Sequence, residues 1–197
     1  MSELLVDFIT SLDGFGAAEG WPGFWGMESP EYLAWMGADP SGGHTVLMGA
    51  VTYRLMAGMA GATGELRDVE GDSVAGLTAS TKVVFSATLD EPRWANTRLV
   101  RSDPVAEVRA MKEAGVPMRT LGSVSLCRSL VAAGVVDRFR VVVFPVVTGV
   151  TGRERIYDGW PDVRLELLSS RTFEGGLQML EYAPTVLAGP PTPAPPG

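Results

Sequence analysis

Short apolar runs recur along most of the chain, and segments with helical spacing of apolar residues lie between them. Runs that are brief, rich in β-branched residues and bounded by turn residues predict strands. They lie at residues 4–10, 44–48, 82–85, 98–100, 118–121 and 139–147. Strands that alternate with helices are typical of an α/β protein, and the nearly continuous apolar run at 139–147 favours a strand covered on both faces of a mixed or parallel sheet.

Four helices are predicted from their start and stop signals. Ser29 followed by Pro30 is a good helix start, because serine caps a helix and proline suits its first position. The other three are expected to open after Gly49, to span residues 104–114, and to run from the Gly122-Ser123 turn to a stop at Gly134.

The remaining segments carry turn or loop signals. Residues 15–27 and the Gly-rich stretch 148–160 predict irregular loops, and residues 57–79 predict a loop with a short helix. Alternating segments at 163–169 and 177–182 predict a terminal antiparallel hairpin. The Pro-rich tail at 184–197 predicts disorder, which leaves one domain over residues 1–183.

Composition narrows the possible functions. The chain has 197 residues, 46% of them hydrophobic, which suits one α/β domain. A net charge of -7 argues against nucleic-acid partners. One cysteine and one histidine, Cys127 and His44, build neither an internal disulfide nor a His-rich metal site, so no metal is predicted. The sequence has no basic leader and no apolar run of membrane-spanning length, so we expect a cytoplasmic protein without a membrane partner.

Three turns with hydroxyl groups or glycine follow predicted strands, at residues 49–52, 86–89 and 122–125. Open α/β sheets bind ligands at the carboxyl ends of their strands, and a helix N-terminus after a glycine turn is a ready phosphate site. Two alternatives remain open at this point. Ser123 or Ser125 is equally suited to a simple N-cap, and residues 86–89 to an ordinary Ser/Thr turn.

Candidate side chains for other roles also have two interpretations. Asp13, in an Asp-Gly turn after the first strand, is either a turn former or a pocket residue. Glu31 compensates the helix dipole or supplies a pocket carboxylate. The long loop contains three aromatic residues, Trp21, Phe24 and Trp25. They either belong to the core beneath the loop or form a lid that stacks on a planar substrate. Cys127 is favoured as a core residue and His44 as a strand-start residue.

Five motifs in order carry a resemblance to a known family. They are Ser-Leu-Asp-Gly at 11–14, Gly-Ala-Val-Thr-Tyr at 49–53, Ser-Ala-Thr-Leu at 86–89, Gly122-Ser123, and the stretch from Val-Asp-Arg-Phe at 136–139 to Pro145 and Gly149. Over residues 4–183 the chain resembles the dihydrofolate-reductase-like reductases, and more narrowly the RibD C-terminal, or bacterial deaminase-reductase, family. The resemblance implies a three-layer α/β/α fold with a mixed, mostly parallel central sheet and a C-terminal antiparallel hairpin.

The resemblance also implies a function. The expected activity is hydride transfer from NADPH, with NADH possible, to a planar pyrimidine, pterin or flavin-like heterocycle, in a homodimer. Asp13 would orient nicotinamide and substrate, and Glu31 would supply or relay a proton. The implied cofactor-binding residues are Thr10, Gly14, Gly49, Ala50, Val51, Thr52, Ser86, Ala87, Thr88, Leu89, Gly122, Ser123, Val124 and Ser125. The alternatives are a non-catalytic dinucleotide- or flavin-binding module of the same fold and an oxidoreductase with a bound flavin.

The sequence departs from the family's motifs at one position. Ala50 stands where the family's Gly-Arg-x-Thr-Tyr motif has an arginine that helps to hold the 2′-phosphate of NADPH. NADPH is therefore expected over NADH only if Arg54 or Arg67 compensates. The His/Cys cluster of the zinc deaminase half found in bifunctional RibD proteins is also missing from this chain.

Overall fold

An eight-stranded sheet with helices on both faces organises the computed structural model, which describes residues 2–20, 25–38, 42–61 and 75–191. The strands are β1 Leu4–Ser11, β2 Phe15–Ala18, β3 Thr45–Gly49, β4 Lys82–Phe85, β5 Thr97–Val100, β6 Met118–Thr120, β7 Arg138–Phe144, β8 Gly152–Arg155, β9 Val163–Thr172 and β10 Gln178–Val186. The helices are α1 Pro30–Gly37, α2 Ala50–Gly61, α3 Pro104–Glu113 and α4 Val124–Ala132. Residues 75–79 are also helical.

The sheet is mostly parallel, as predicted. Its order is β5-β4-β3-β6-β1-β7-β10-β9, and the first six of these strands pair in parallel. The C-terminal hairpin adds β10 antiparallel to β7 and β9 antiparallel to β10. β1 lies between β6 and β7, so the predicted first strand is central and its C-terminal end opens at the middle of the carboxyl edge.

Side chains alternate between the two faces of the sheet and build a three-layer core. One face carries Leu4, Val6 and Phe8 of β1, which pack with the buried sides of α3 and α4. On the other face, α2 covers β3 and β4 in one cluster, and α1 covers the C-terminal part of β7 and the hairpin in another. Both helix layers are therefore anchored on strands that end at the same edge.

A buried ion pair separates these two clusters on the second face. The guanidinium of Arg140 in β7 donates to the carboxylate of Asp7 in β1, with a distance of 3.1 Å from Nε to Oδ1. The same guanidinium lies 5.1 Å from the centre of the Trp35 ring. The pair joins β1 to β7, and each charge is compensated by its partner.

Two segments predicted to be irregular contain strands instead. Phe15–Ala18 forms β2, which pairs antiparallel with β8, Gly152–Arg155. The expectation of loops at 15–27 and 148–160 is wrong in these parts. The pairing depends on a long-range fit, since a Cβ atom at Gly152 would come within 2.6 Å of the Phe15 ring. Strands of only four residues are too short to show the alternation of apolar and polar residues by which a strand is recognised in a sequence.

Two predicted boundaries also shift. α2 continues to Gly61, whereas a loop was expected from residue 57, and β10 continues to Val186, whereas a disordered tail was expected from Pro184. Pro184 pairs with Leu165 of β9, which provides the partner that the sequence did not indicate. The loop prediction at 62–74 and the tail prediction at 192–197 lie outside the described residues.

Candidate active site

The three predicted ligand turns lie side by side at the carboxyl edge of the sheet. They follow β4, β3 and β6, which are adjacent and parallel. The next strand in the sheet is β1, so the turn with Asp13 follows directly on this row. Residues that are more than a hundred positions apart in sequence, such as Asp13 and Gly122, are thereby brought to one edge.

A single serine hydroxyl joins two helix N-termini at this edge. Ser123 Oγ accepts a hydrogen bond from the Gly49 N–H at 2.7 Å and lies 2.8 Å from Thr52 Oγ1. Ser123 occupies the N-cap position of α4, yet its side chain makes no capping hydrogen bond there. The N-cap interpretation of Ser123 therefore fails, because its hydroxyl is committed to the start of α2 and leaves the first N–H groups of α4 to another acceptor.

The backbone of this turn is left-handed at two successive residues. Gly122 has a φ of 54° and Ser123 a φ of 66°. A Cβ atom at Gly122 would lie 3.7 Å from Thr52 Oγ1, an ordinary contact, so the positive φ rather than lack of space favours glycine.

The turn after β4 has the geometry of a Ser/Thr turn. Ser86 Oγ accepts hydrogen bonds from the N–H groups of Thr88 at 3.2 Å and Leu89 at 3.0 Å. Leu89 is buried in the α2 cluster, so only its backbone faces the edge, whereas Ala87 and Thr88 are exposed. The hydroxyl of Ser86 thus shapes the turn and presents its tip to solvent.

The other predicted cofactor-binding residues lie in the first turns of α2 and α4. Ala50 begins α2, and Val51 next to it is 71% exposed. Val124 packs against the core below α4, and Ser125 is exposed. Both helices thus present an accessible first turn at the edge.

Asp13 links the end of β1 to the segment after β7. Its carboxylate accepts hydrogen bonds from the Ser11 hydroxyl at 2.6 Å and from the N–H groups of Thr148 at 3.2 Å and Gly149 at 2.9 Å. These donors, the Ser11 hydroxyl foremost, lower the pKa of Asp13 to about 2. Asp13 is therefore an anion at neutral pH that holds two loops together, and it is not a proton donor.

A cleft of about 480 Å³ opens beside Asp13. It is lined by Thr10, Ser11, Leu12, Asp13, Gly14, Val143, Arg155, Tyr157 and Asp158. Three residues predicted from the sequence, Thr10, Asp13 and Gly14, meet here. Close packing shapes the wall, because a Cβ atom at Gly14 would lie 3.3 Å from the Tyr157 ring.

Sequence reasoning missed three residues that line this cleft. Arg155, Tyr157 and Asp158 lie in the stretch expected to be a Gly-rich loop. Partial burial raises the pKa of the Tyr157 phenol, whose hydroxyl can donate a hydrogen bond. The cluster of charged and aromatic residues in Arg-Glu-Arg-Ile-Tyr-Asp was the available signal, because such residues are unusual in a plain glycine loop.

Glu31 belongs to a different contact. Its carboxylate accepts hydrogen bonds from the Arg171 guanidinium at 2.8 Å and from the Glu174 N–H at 3.0 Å. These contacts, that with Arg171 first, lower the pKa of Glu31. The carboxylate clamps α1 to the C-terminal hairpin and stays ionised, which disfavours it as a proton donor in this arrangement.

The aromatic residues near α1 form core where they are described. Trp25 packs on Phe144 with ring centres 5.2 Å apart, and Tyr32 contacts Trp35, Phe144 and Phe173. Trp21 and Phe24 lie outside the described residues. Of the two interpretations of the aromatic loop, the core role thus applies to Trp25.

Cys127 is a buried core residue. Its thiol donates to the Gly122 carbonyl at 3.0 Å, and burial raises the thiol pKa to about 12. In the described ranges, no three His, Cys, Asp or Glu side chains are arranged to hold a metal ion. None of the helices in those ranges is both long and apolar enough to cross a membrane.

Comparison with known proteins gives matches over almost the whole chain. The family model described as the RibD C-terminal domain matches residues 3–179. The uncharacterized protein YyaP of Bacillus subtilis strain 168 is 27% identical over 189 residues, which cover 91% of this chain and 93% of YyaP.

Solved structures share the fold at low sequence identity. A putative riboflavin biosynthesis protein from Shewanella sp. PV-4 has a TM-score of 0.70 and 14% identity, with 93% of this chain and 99% of that chain covered. A pyrimidine reductase-like protein from Corynebacterium diphtheriae has a TM-score of 0.61 and 14% identity, with 93% and 92% covered. The diaminohydroxyphosphoribosylaminopyrimidine deaminase/5-amino-6-(5-phosphoribosylamino)uracil reductase of Thermotoga maritima has a TM-score of 0.65 and 12% identity, and the match covers 93% of this chain but 57% of that one.

Proposed function

The chain belongs to the RibD C-terminal domain family, and we propose that it is an NADPH-dependent reductase that transfers a hydride to a planar heterocycle. The observation that carries the proposal is the junction at Ser123. One hydroxyl holds the N-termini of α2 and α4 together at the carboxyl edge, beside the cleft at Asp13.

The described residues fit a dinucleotide. The N–H groups at the start of α4 donate no capping hydrogen bond to the Ser123 side chain, and the start of α2 lies next to them, so two positive helix ends are available to a pyrophosphate. Gly49, Thr52, Gly122 and Ser123 would hold that group. The exposed turn at Ser86–Thr88 would contact the adenosine end, in line with the family resemblance. When bound, the reduced nicotinamide would supply the hydride.

The residues around the cleft would orient the reacting rings. Thr10 and Gly14 line the cleft next to Asp13, and Tyr157 contributes an aromatic ring and a phenol that can donate a hydrogen bond. Asp13, held as an anion, would fix the two loops that border the site. The proton-relay role proposed for Glu31 requires that its pair with Arg171 opens, because the carboxylate is otherwise occupied.

A pyrimidine, a pterin or a flavin-like ring is the proposed substrate class. Two of the structural relatives are named for pyrimidine or uracil reduction, so pyrimidines are the first compounds to test. Turnover is measured as NADPH oxidation with 5-amino-6-(5-phosphoribosylamino)uracil, other aminopyrimidines, pterins and flavins. Substrate-dependent oxidation that is lost in a Thr52→Ala, Ser123→Ala double variant is the expected result.

A non-catalytic dinucleotide- or flavin-binding module is the second candidate. Ala50 favours it, because the arginine usual at this position is absent. Nucleotide binding without turnover on any of these rings would support this alternative over the reductase. A yellow purified protein would instead support an oxidoreductase with bound flavin.

A homodimer is proposed through the free edge of β9. β9 is the last strand of the sheet, and its Leu165, Leu167 and Leu168 are 38%, 56% and 48% exposed. Edge strands with open N–H and C=O groups readily pair with a second chain. In a two-fold antiparallel pairing centred on Leu165, Arg164 of one copy would lie opposite Glu166 of the other. A cytoplasmic location remains a prediction from the sequence, to be tested by cell fractionation.

A further inference from the structure

A second cavity lies at the amino edge of the sheet, on the face that α1 and α2 cover. It has a volume of about 230 Å³ and is lined by Glu3, Leu5, Trp35, His44, Arg138, Arg140, Met179 and Glu181. Glu3 directly precedes β1 and Arg138 begins β7, which places the cavity at the amino ends of these strands. Ser11, in the cleft at Asp13, lies at the other end of β1 from Leu5, a separation of roughly 20 Å at about 3.3 Å per residue.

Charged side chains of both signs meet in this cavity. Arg138 contacts two carboxylates, because one terminal nitrogen lies 3.4 Å from Glu3 and the other donates to Glu181. Arg140 pairs with Asp7. Both guanidinium groups are thus compensated by carboxylates, so an anion alone would find no uncompensated cation here.

Two neighbouring groups of the cavity retain bonding capacity. The Nε atom of Arg138 is buried, and in the part of the chain that the structure describes it has no hydrogen-bond acceptor. The side chain of Glu3 is 40% exposed, and its 3.4 Å contact with Arg138 is longer than an ordinary hydrogen bond. A donor N–H group and an acceptor carboxylate therefore lie side by side.

The rest of the wall is apolar. Leu5 of β1 and Met179 of β10 are buried, and Trp35 extends this surface from α1. The Trp35 ring is held on the sheet, since the Arg140 guanidinium lies 5.1 Å from its centre and Tyr32 stacks on it at 5.9 Å. An apolar group of a ligand would be removed from water against these side chains.

We propose that this cavity binds a free α-amino acid with an apolar side chain, of the size of leucine or methionine. The α-carboxylate would accept from Arg138 Nε, the α-ammonium group would donate to Glu3, and the side chain would lie against the apolar wall. A molecule with only one of the two charges would satisfy only one of the two polar groups. The volume equals that of roughly eight water molecules at about 30 Å³ each, which suits an occupant of this size.

Isothermal titration calorimetry of the purified protein with L-leucine and L-methionine tests the site. Isocaproate and isopentylamine, which are leucine without its amino group and leucine without its carboxyl group, test the need for both charges. Glu3→Gln and Arg138→Met alter the two polar groups. Arg153→Met is the matched control, because Arg153 pairs with Glu19 and does not line the cavity. Urea unfolding shows whether each variant is folded.

The expected result is saturable one-to-one binding of L-leucine or L-methionine. Isocaproate and isopentylamine should each bind at least about 10-fold more weakly, since one hydrogen bond to a charged group is lost. Glu3→Gln should weaken the amino acid by about 10-fold, because a charge-assisted hydrogen bond becomes a neutral one. Arg138→Met should abolish binding, and Arg153→Met should leave it unchanged. Saturating NADPH should not displace the amino acid, because the inference uses no residue of the carboxyl edge and is independent of the proposed function.

Four results would overturn the inference. Absence of saturable binding in the millimolar range would remove the site, and isopentylamine that binds as tightly as leucine would make it a site for an organic cation. Full binding in both Glu3→Gln and Arg138→Met would place the amino acid elsewhere on the protein, and displacement by NADPH would place it at the carboxyl edge. If Arg138→Met does not fold, Glu3→Gln and the two leucine analogues decide the outcome.

Discussion

The hydroxyl groups of Thr52 and Ser123 lie 2.8 Å apart, although 71 positions separate them in the sequence. Thr52 is in the first turn of α2 and Ser123 directly precedes α4. The contact makes the geometry of one helix start depend on the other. A ligand that spans both would therefore meet a preformed site, which lowers the ordering cost of binding.

The turn before α4 requires a positive φ at Gly122. Gly122→Ala should destabilise the fold by about 1–2 kcal/mol, because an L-residue is strained in the left-handed region. Gly58→Ala is the control, since Gly58 lies in exposed helix with open space around it and should stabilise by about 0.5–1 kcal/mol. Urea unfolding measures both. No loss of stability in Gly122→Ala would contradict the strained geometry.

The ion pair of Asp7 and Arg140 is expected to matter far more than a surface pair. Asp7→Asn removes the carboxylate that accepts from the buried guanidinium and should cost about 3 kcal/mol in the free energy of unfolding. Glu19→Gln breaks the exposed pair with Arg153 and should cost less than about 0.5 kcal/mol. Equal effects of the two substitutions in urea unfolding would rule out a special role for the buried pair.

The carboxylate of Asp13 should titrate near pH 2, below its ordinary 3.8. A carboxyl whose pKa is lowered on folding stabilises the protein above the unfolded pKa, and that stabilisation is lost as the pH falls from about 4 through 2. The difference in stability between wild type and Asp13→Asn should therefore be constant from pH 5 to 7 and shrink across that lower window.

Ser11→Ala tests whether the Ser11 hydroxyl causes the lowered pKa of Asp13. Ser11 donates to Asp13 at 2.6 Å and is the largest contributor to its lowered pKa. Removal of the hydroxyl should raise the Asp13 pKa toward its ordinary value, as followed by NMR of the side-chain carboxyl. An unchanged midpoint in Ser11→Ala would assign the shift to the backbone N–H groups of Thr148 and Gly149 instead.

The proposed dimer makes a prediction about β9. Leu167→Lys places a charge on the exposed edge strand and should convert a dimer to a monomer in light scattering after size-exclusion chromatography. Leu55→Lys, at an exposed position on α2, should leave the mass unchanged. A dimer that survives Leu167→Lys would place the interface elsewhere.

The sequence predicted the elements whose signals are local. The apolar runs at β1, β3 and β7 and the Ser29-Pro30 helix start needed no tertiary information. β2 and β8 were missed because their pairing rests on contact of Phe15 with Gly152, more than a hundred residues away. A pattern confined to neighbouring residues does not encode such a partner.

The same distinction applies to the site. Motif positions placed Asp13, Gly49, Ser86 and Gly122 at strand ends, and the sheet order brings these ends together. Two contacts of the site could not be predicted in this way. The Ser123 hydroxyl accepts from the Gly49 N–H, and Glu31 pairs with Arg171, and both contacts depend on how distant side chains are oriented in the folded protein. Arg155 and Tyr157 were missed because their contribution arises only when β8 folds against β2.

Titration of the purified protein with NADPH, followed by nucleotide fluorescence, tests whether the helix junction at Ser123 holds a dinucleotide. Thr52→Ala and Ser123→Ala remove the two hydroxyls at the helix junction, and Ser129→Ala removes a hydroxyl from the exposed side of α4 as a control. We expect tight binding that each junction variant weakens by about 5- to 10-fold, the loss of one hydrogen bond, with no change in Ser129→Ala. Absence of NADPH and NADH binding to the wild-type protein would exclude a dinucleotide site at this junction.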